Sequence, residues 1–396
     1  MTATPSLDGG IPAEVELVVR AVRPRIDADD EARIVAAMEN GLDWNRLCAY
    51  AGWHRVLPMV NRTLLRLRPE ALPAAIRERF AANLDATLRN NLQISGELVR
   101  LIRIFRDAGL EAVPFKGPVL AQRVYGNLAL RPFTDLDLLV RSRDVVRAEE
   151  LLERAGFRPV KDLPQAQQAA YIRYEHDRSF IKEDSGVTVE LHWRFFARYV
   201  AFALDHDAIW QRLDHVPLAG TDVPSLPPEE LLLVLSVHGA KHLWTSLGWI
   251  LDIALMPDAY RDLDWDRAQE LARITGTERM FRLALRLADD LWGVPMPEPL
   301  RAAVLADGVV GRLAMQVFGR LSRLDQPPVS PADGHRFYLD ARERMRDRLH
   351  YHWLWFFTPN YRDQTFIDLP AWLSPLHYVI RPLRMTVDLL RRDRPR

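Results

Sequence analysis

The stretch from Val113 to Val140, VPFKGPVLAQRVYGNLALRPFTDLDLLV, constrains this chain more than any other. It reads as a short strand, a glycine-opened helix running to about Tyr125, an arginine-bearing loop, and a second strand carrying Asp135 and Asp137. Gly126 is the expected stop of the helix. Side chains alternate along a strand, so carboxylates at i and i+2 share a face. Held close, they repel one another and lose hydration unless a cation lies between them. Just upstream, Lys116-Gly117-Pro118 has the form of a phosphate-holding turn. Glycine lets the backbone approach a ligand, and proline suits the first position of a helix. The free N–H groups at that helix start attract an anion. One compact segment thus offers a cation site beside an anion site, as a metal–nucleotide complex requires.

Around this segment the pattern is mostly helical. From Ile11 to about Arg106, apolar residues recur at helical spacing: Val15, Val18, Val19 and Val22, then Ile34, Ala37 and Met38. Trp44, Leu47, Ala51 and Trp53 suggest another packed helix, and a long helix runs from about Pro73 to Asp107. Arg89, Asn90 and Asn91 within it read as a solvated or locally hydrogen-bonded face. Residues 1 to about 10 read as disordered. After Val140, a helix closed by Gly156 and a hairpin follow, SFIKE and VTVELHWRF around Asp184-Ser185-Gly186. In the second hairpin strand Glu190 and His192 share the polar face, opposite Val189 and Leu191. From Pro227 onward the chain is helical again. If PPEELLLVLSVHGAKHLWTSLGWILDIALM is one helix, His238, His242, Thr245, Trp249 and Asp252 share a face beside Lys241, with Gly248 as its bend. Leu263 to about Trp292 and Leu300 to Leu321 give further amphipathic helices. This predicts an α+β fold, with helical residues 1–95, a core over 96–215, and a helical region over 216–396.

The K-G, then R, then D-x-D-L-L-V arrangement resembles the nucleotidyltransferase superfamily with a polymerase-β-like core, a mixed sheet with flanking helices. More narrowly, it is similar to bacterial proteins described as uncharacterised nucleotidyltransferases, which carry Lys-Gly where the wider superfamily has Gly-Ser. The resemblance extends to E-L-H-W around Glu190, to A-K-H-x-W around Lys241, and to the P-L-H-Y-V-I-R-P stretch near the C-terminus. It implies an NTP substrate and two Mg²⁺ ions, with Mn²⁺ as a substitute, held by Asp135, Asp137 and Glu190. Such an ion pair, about 4 Å apart, clamps the attacking and leaving oxygens of an in-line displacement. Lys116, Gly117, Lys241 and His242 would contact the nucleotide. Arg131 either neutralises triphosphate charge, orients Asp135, or forms an internal ion pair. His192 either orders Glu190, contacts substrate, or is a buried hydrogen-bonded histidine.

Composition excludes several classes. The 396 residues have a formal net charge of zero, so no general electrostatic grip on nucleic acid is expected. Cys48 is the single cysteine, which rules out an intrachain disulfide and fits a reducing cytoplasm. No apolar run reaches membrane-span length. Only Lys116, Lys161, Lys182 and Lys241 are lysines among 53 basic residues, which marks each retained lysine for scrutiny. His238 and His242 lack the glutamate of H-E-x-x-H and any nearby cysteine, so zinc is not expected. The aromatic stretch Trp353 to Phe357, near Arg381, Arg384, Arg391 and Arg392, reads as a helix packed on the main body, with a membrane-facing patch as the alternative. Two other functions compete. A D-x-D glycosyltransferase would need a nucleotide-binding α/β region upstream, where helices are predicted instead. A non-catalytic regulatory protein with a degenerate core would not need all three carboxylates. The acceptor is open: a peptide, a protein, a small metabolite or an RNA end.

Overall fold

A computed structural model describes residues 11–392, except 163–164, 201, 203, 205, 326–328, 360–362, 364–365, 368 and 370. The disorder expected for residues 1–10, and the side chains of Arg391 and Arg392, lie outside the described residues. The chain opens with α1 (Ala13–Ala21), α2 (Ala28–Glu39), α3 (Trp44–Trp53), α4 (Leu57–Leu67) and the long α5 (Ala74–Asp107). The central part is β1 (Ala112–Pro114), α6 (Gly117–Tyr125), β2 (Asp135–Val140), α7 (Val145–Arg154), β3 (Arg158–Pro159), α8 (Gln165–Tyr174), β4 (Asp177–Ile181), β5 (Thr188–His192) and α9 (His206–Trp210). A hairpin, β6 (Asp214–Leu218) and β7 (Thr221–Ser225), leads to α10 (Pro228–Lys241) and α11 (Leu247–Ala259). Then come α12 (Trp265–Thr275), α13 (Glu278–Trp292), α14 (Glu298–Ala306), α15 (Gly308–Leu321), α16 (Pro331–Asp340), α17 (Met345–Phe357) and α18 (His377–Arg392).

The main sheet has the order β1-β2-β5-β4-β3. Only β2 and β5 run parallel; the other pairs are antiparallel, so the sheet is mixed and the fold is α+β as predicted. Among the described residues only β1 precedes Asp135 as a strand, which removes the upstream nucleotide-binding sheet that a D-x-D glycosyltransferase would need. The helix read from Gly117 to Tyr125 is present, and Gly126 caps it at φ 64°. Strand β4 begins at Asp177, two residues before the expected start. The β6–β7 hairpin has no counterpart in the sequence reading. Pro217 and Pro224 interrupt its alternation, and proline in a run argues against a strand except at an edge.

Apolar burial forms two clusters. One joins β2, β5 and the second half of α5 to α7 and the β6–β7 hairpin. The other packs α1 to α4 directly against α10 to α15, so the first and last thirds of the chain share a core. One expected contact is missing: Trp53, the last residue of α3, is 61 % exposed.

The expected continuous helix from Pro227 is broken, and not at Gly248. Helix α10 stops at Lys241, and Leu243 and Trp244 adopt left-handed backbone at φ 58° and 52°. No glycine marks the spot, so the break was not legible. Strain of this kind costs about 1–3 kcal/mol per residue and needs support from its surroundings. Trp244 supplies it by turning its fully buried indole back onto Gly239. The turn is also tied to the N-terminal helices, since Ser246 Oγ and Gly248 N both donate to the His54 carbonyl, at 2.9 and 3.0 Å. The two later stretches each hold two helices. The first breaks at Gly276, and the second breaks at Asp307, whose carboxylate caps α15.

A Cβ on Gly239 would lie 2.4 Å from the Trp244 ring. Gly239→Ala should therefore lower stability by about 1–3 kcal/mol, the usual cost of overpacking. A lower urea midpoint at unchanged m-value is the expected measurement.

Candidate active site

The parallel register sets Asp137 opposite Glu190 and Leu139 opposite His192. Asp135, Asp137 and Glu190 consequently face the same side of the sheet. Asp137 is buried, while the Glu190 side chain is 35 % exposed. One ligand atom each from Asp137, Glu190 and His192 lie within 4.8 Å of one another. His192 Nε2 sits 3.2 Å from Asp137 Oδ1 and 3.5 Å from Glu190 Oε2. These are ionic approaches without hydrogen-bond alignment, and both ring nitrogens are buried without a hydrogen-bond partner among the described residues. Lys116 Nζ donates to Asp137 Oδ1 at 3.1 Å.

Electrostatics separates the carboxylates. Burial opposes ionisation of Asp137, but the Lys116 ammonium and His192 outweigh it and hold the carboxyl far below the usual range. Asp135 goes the other way: burial raises it, and the Asp137 and Glu190 charges raise it further. Burial would lower His192, yet Asp137 and Glu190 lift it to about 9. The repulsion expected of paired carboxylates is thus borne by Asp135, while Asp137 is already compensated.

A cleft of about 370 Å³ lies over this face. Its floor carries the three carboxylates, Lys116 and Gly117, and its far wall is His238, His242 and Trp249 from α10 and α11. The two histidine rings are 4.6 Å apart, and Trp249 is 5.3 Å from each. Burial, with Lys116 beside it, pushes His238 well down; burial, with Lys241 beside it, lowers His242 to about 4. Both rings are neutral at neutral pH and form an aromatic shelf. Lys241 stands over Phe196, 5.8 Å from the ring centroid, and burial with the nearby Lys116 charge lowers its pKa. It lines an adjoining groove that His242 shares.

Gly117 is where the backbone demands glycine. It has φ 57°, and a Cβ there would lie 3.2 Å from the Asp135 carbonyl. Helix α6 therefore starts hard against β2, with its N-terminus at the cleft. Arg131 also lines the cleft, but its guanidinium holds Asp252 of α11 through two bonds of 2.8 and 2.9 Å rather than Asp135. Tyr125 donates to the same carboxylate at 2.7 Å. The internal ion pair is the reading that fits Arg131's contacts.

Four contributions escaped the sequence reading. Asn91 is fully buried and donates to the carbonyls of Leu128 and Arg131, and Asn90 donates to Phe133. They fix the loop that enters β2, so Asn91 from inside and the exposed Asn90 from the rim position the site. Arg55 lines the cleft from the α3–α4 turn at φ 58°. Asp177 pairs in register with His192, next to the carboxylates. An earlier start for β4 would have exposed Asp177; nothing in the sequence flagged Arg55.

The donor set suits a hard divalent cation, since Asp135, Asp137 and Glu190 offer only oxygens. Among the described residues the atoms close enough to share an ion belong to Asp137, Glu190 and His192; Asp135 lies outside that group, and the Lys116 ammonium competes for Asp137 Oδ1. A mixed sheet with carboxylates on neighbouring parallel strands, and a glycine-opened helix beside them, defines a nucleotidyltransferase core. The chain belongs to the uncharacterised nucleotidyltransferase family, whose model matches residues 40–293, well over half its length. No curated protein and no solved structure matches it.

The His192 shift makes a pH prediction for the metal-free protein in chelator. A histidine raised from an ordinary value of about 6.5 to about 9 contributes stability that is full below the lower value. That contribution is lost as pH rises through about 9. Thermal midpoints should fall between neutral and alkaline pH, and His192→Asn should flatten the slope. An unchanged slope in that variant would remove His192 as the titrating group.

Proposed function

We propose that the protein transfers a nucleoside monophosphate from an NTP to an acceptor hydroxyl, with Mg²⁺ and release of pyrophosphate. The observation that carries this reading is the parallel register of Asp137 against Glu190, with the start of α6 opening onto the same cleft. In the reaction, an acceptor oxygen forms a bond to the α-phosphorus. The bond to the bridging oxygen breaks, and that electron pair leaves with pyrophosphate. Asp135, Asp137 and Glu190 hold the metal, which when bound neutralises phosphate charge and polarises the phosphoryl oxygens. Glu190, 35 % exposed against 4 % for Asp137, faces the incoming acceptor and takes up its hydroxyl proton as the new bond forms. Lys116 and the N–H groups at Gly117 receive the triphosphate. Lys241 adds charge from the helical side. Trp249 and the neutral rings of His238 and His242 stack the base. Positioning and charge neutralisation account for most of the barrier lowering, since phosphoryl-type transfer needs little covalent help.

One observation favours a second reading. Lys116 already compensates the Asp137 charge, which suits a non-catalytic nucleotide-binding protein. Incubation with each α-labelled NTP, Mg²⁺ and host lysate separates the two, because only an enzyme labels a product. The labelled product also identifies the acceptor among peptide, protein, metabolite and RNA end.

Two variant sets follow. Asp137→Asn should abolish transfer. It should also lower metal-free stability by about 3 kcal/mol, because it leaves half-buried Lys116 and buried His192 without their shared carboxylate. Asp135→Asn should abolish transfer yet raise metal-free stability, by relieving the repulsion it bears. Calorimetry in chelator reads both signs, and full activity in either variant would sink the assignment. Among the lysines, Lys116→Ala and Lys241→Ala should weaken NTP binding more than NMP binding. Lys161→Ala and Lys182→Ala should not; Lys182 is engaged with Glu97 at 2.7 Å, outside the cleft residues. Titration with thermal-shift readout compares all four, and equal effects would show lysine scarcity to be uninformative.

A further inference from the structure

The face that covers helix α17 is unaccounted for. Within α17 itself the described buried residue is Tyr351, which packs on Tyr199 and Tyr338. The opposite face repeats apolar residues at Met345, Leu349, Trp353 and Phe356, spaced four, four and three residues. At 100° per residue these four fall on one stripe. Met345 is 66 % exposed, Leu349 62 % and Trp353 62 %. Phe356 and Phe357 join Leu349 and Trp353 around an open hollow of about 710 Å³, flanked by Arg346, His350 and His352. Helix α18 packs beside α17 and leaves Val379 62 % and Leu383 65 % exposed. Of sixteen exposed large hydrophobics along the described chain, nine lie between Met345 and Leu383. Scattered exposed apolar residues are normal, but a concentration of this kind marks an interaction surface. The helix expected to pack on the body packs through one edge only.

Charge identifies what covers the face. The whole chain is neutral, but residues 341–396 hold eleven arginines against six acidic residues, a net +5. A second copy is disfavoured, since a two-fold contact would set this basic region against its own image. An apolar stripe of Trp, Phe, Leu and Met with basic flanks is the composition of a helix that lies in a membrane interface. Basic residues near the surface add attraction to anionic headgroups. Among the described residues no single helix is long and apolar enough to cross a membrane, so contact would be peripheral. Arg381 and Arg384 are engaged by Asp363, at 2.9 and 2.6 Å. They anchor α18 to Asp363, leaving Arg346, 75 % exposed beside Asp347, to meet headgroups.

We propose that α17, supported by α18, docks the protein reversibly on an anionic lipid surface through Leu349, Trp353 and Phe356. The full chain is sedimented with vesicles of phosphatidylcholine alone and of phosphatidylcholine with phosphatidylglycerol. Binding is expected to the anionic vesicles, and to weaken as salt is raised. Leu349→Ser with Trp353→Ser should reduce that binding on the order of tenfold. The same double variant should keep its thermal midpoint and its NTP thermal shift, because neither residue touches the cleft. Arg346→Glu should weaken binding to anionic vesicles only. Sedimentation no greater than in vesicle-free controls would overturn the proposal. So would a concentration-dependent dimer in light scattering that the double variant abolishes, since a second copy would then be the cover.

Discussion

The buried pair between Arg131 and Asp252 holds the site together. Arg131 belongs to the loop that enters β2, and Asp252 to the middle of α11, so the pair spans the two apolar clusters. Burial would weaken the guanidinium charge, but the Asp252 carboxylate and the Tyr125 hydroxyl more than restore it, so its pKa is raised. A pair of this kind adds little net stability against an apolar substitute, but losing one partner is costly. Its contribution here is registry. It fixes the distance between the carboxylate floor and the aromatic wall, and Tyr125 ties the end of α6 to the same carboxylate. Asn90 and Asn91 repeat the principle from α5, holding three carbonyls of the same loop.

The carboxylate floor is rigid for a different reason. Its three acids sit on neighbouring hydrogen-bonded strands, which cannot shift without breaking register. The wall is less constrained. It hangs on a left-handed turn at Leu243 and Trp244 that the His54 carbonyl clasps from the N-terminal helices. The first helices of the chain therefore support the wall of the cleft, although they contribute no carboxylate to it. Arg55, immediately after His54, reaches the cleft by the same route.

What was legible follows from the range of each interaction. Period-two alternation and the K-G-P turn are local, so β2, α6 and the shared face of Glu190 and His192 could be read directly. The neighbourhood of β2 and β5 rested on the family resemblance. The non-local pairs were invisible: Arg131 meets Asp252 across 121 positions, and Asn91 meets Arg131 across 40. The break after Lys241 was missed because non-glycine residues adopt the left-handed backbone there. The aromatic tail was legible as a helix that packs on the body, which Tyr351 does, but not as one with an open face, since periodicity says which residues share a face and not whether anything covers it.

Lysine scarcity gains a physical meaning at Lys116. Its ammonium donates to Asp137 Oδ1 at 3.1 Å. On our reading of the function, it must leave that carboxylate when cation and triphosphate arrive. A lysine pairs as a point charge through a flexible stem and can transfer from carboxylate to phosphate. An arginine would grip Asp137 with a planar fork, as Arg131 grips Asp252, and would resist displacement. The same cleft thus uses arginine where a contact must persist and lysine where it must change partners. In a chain with only four lysines among 53 basic residues, that distinction is a stronger reason for lysine at position 116 than chance retention.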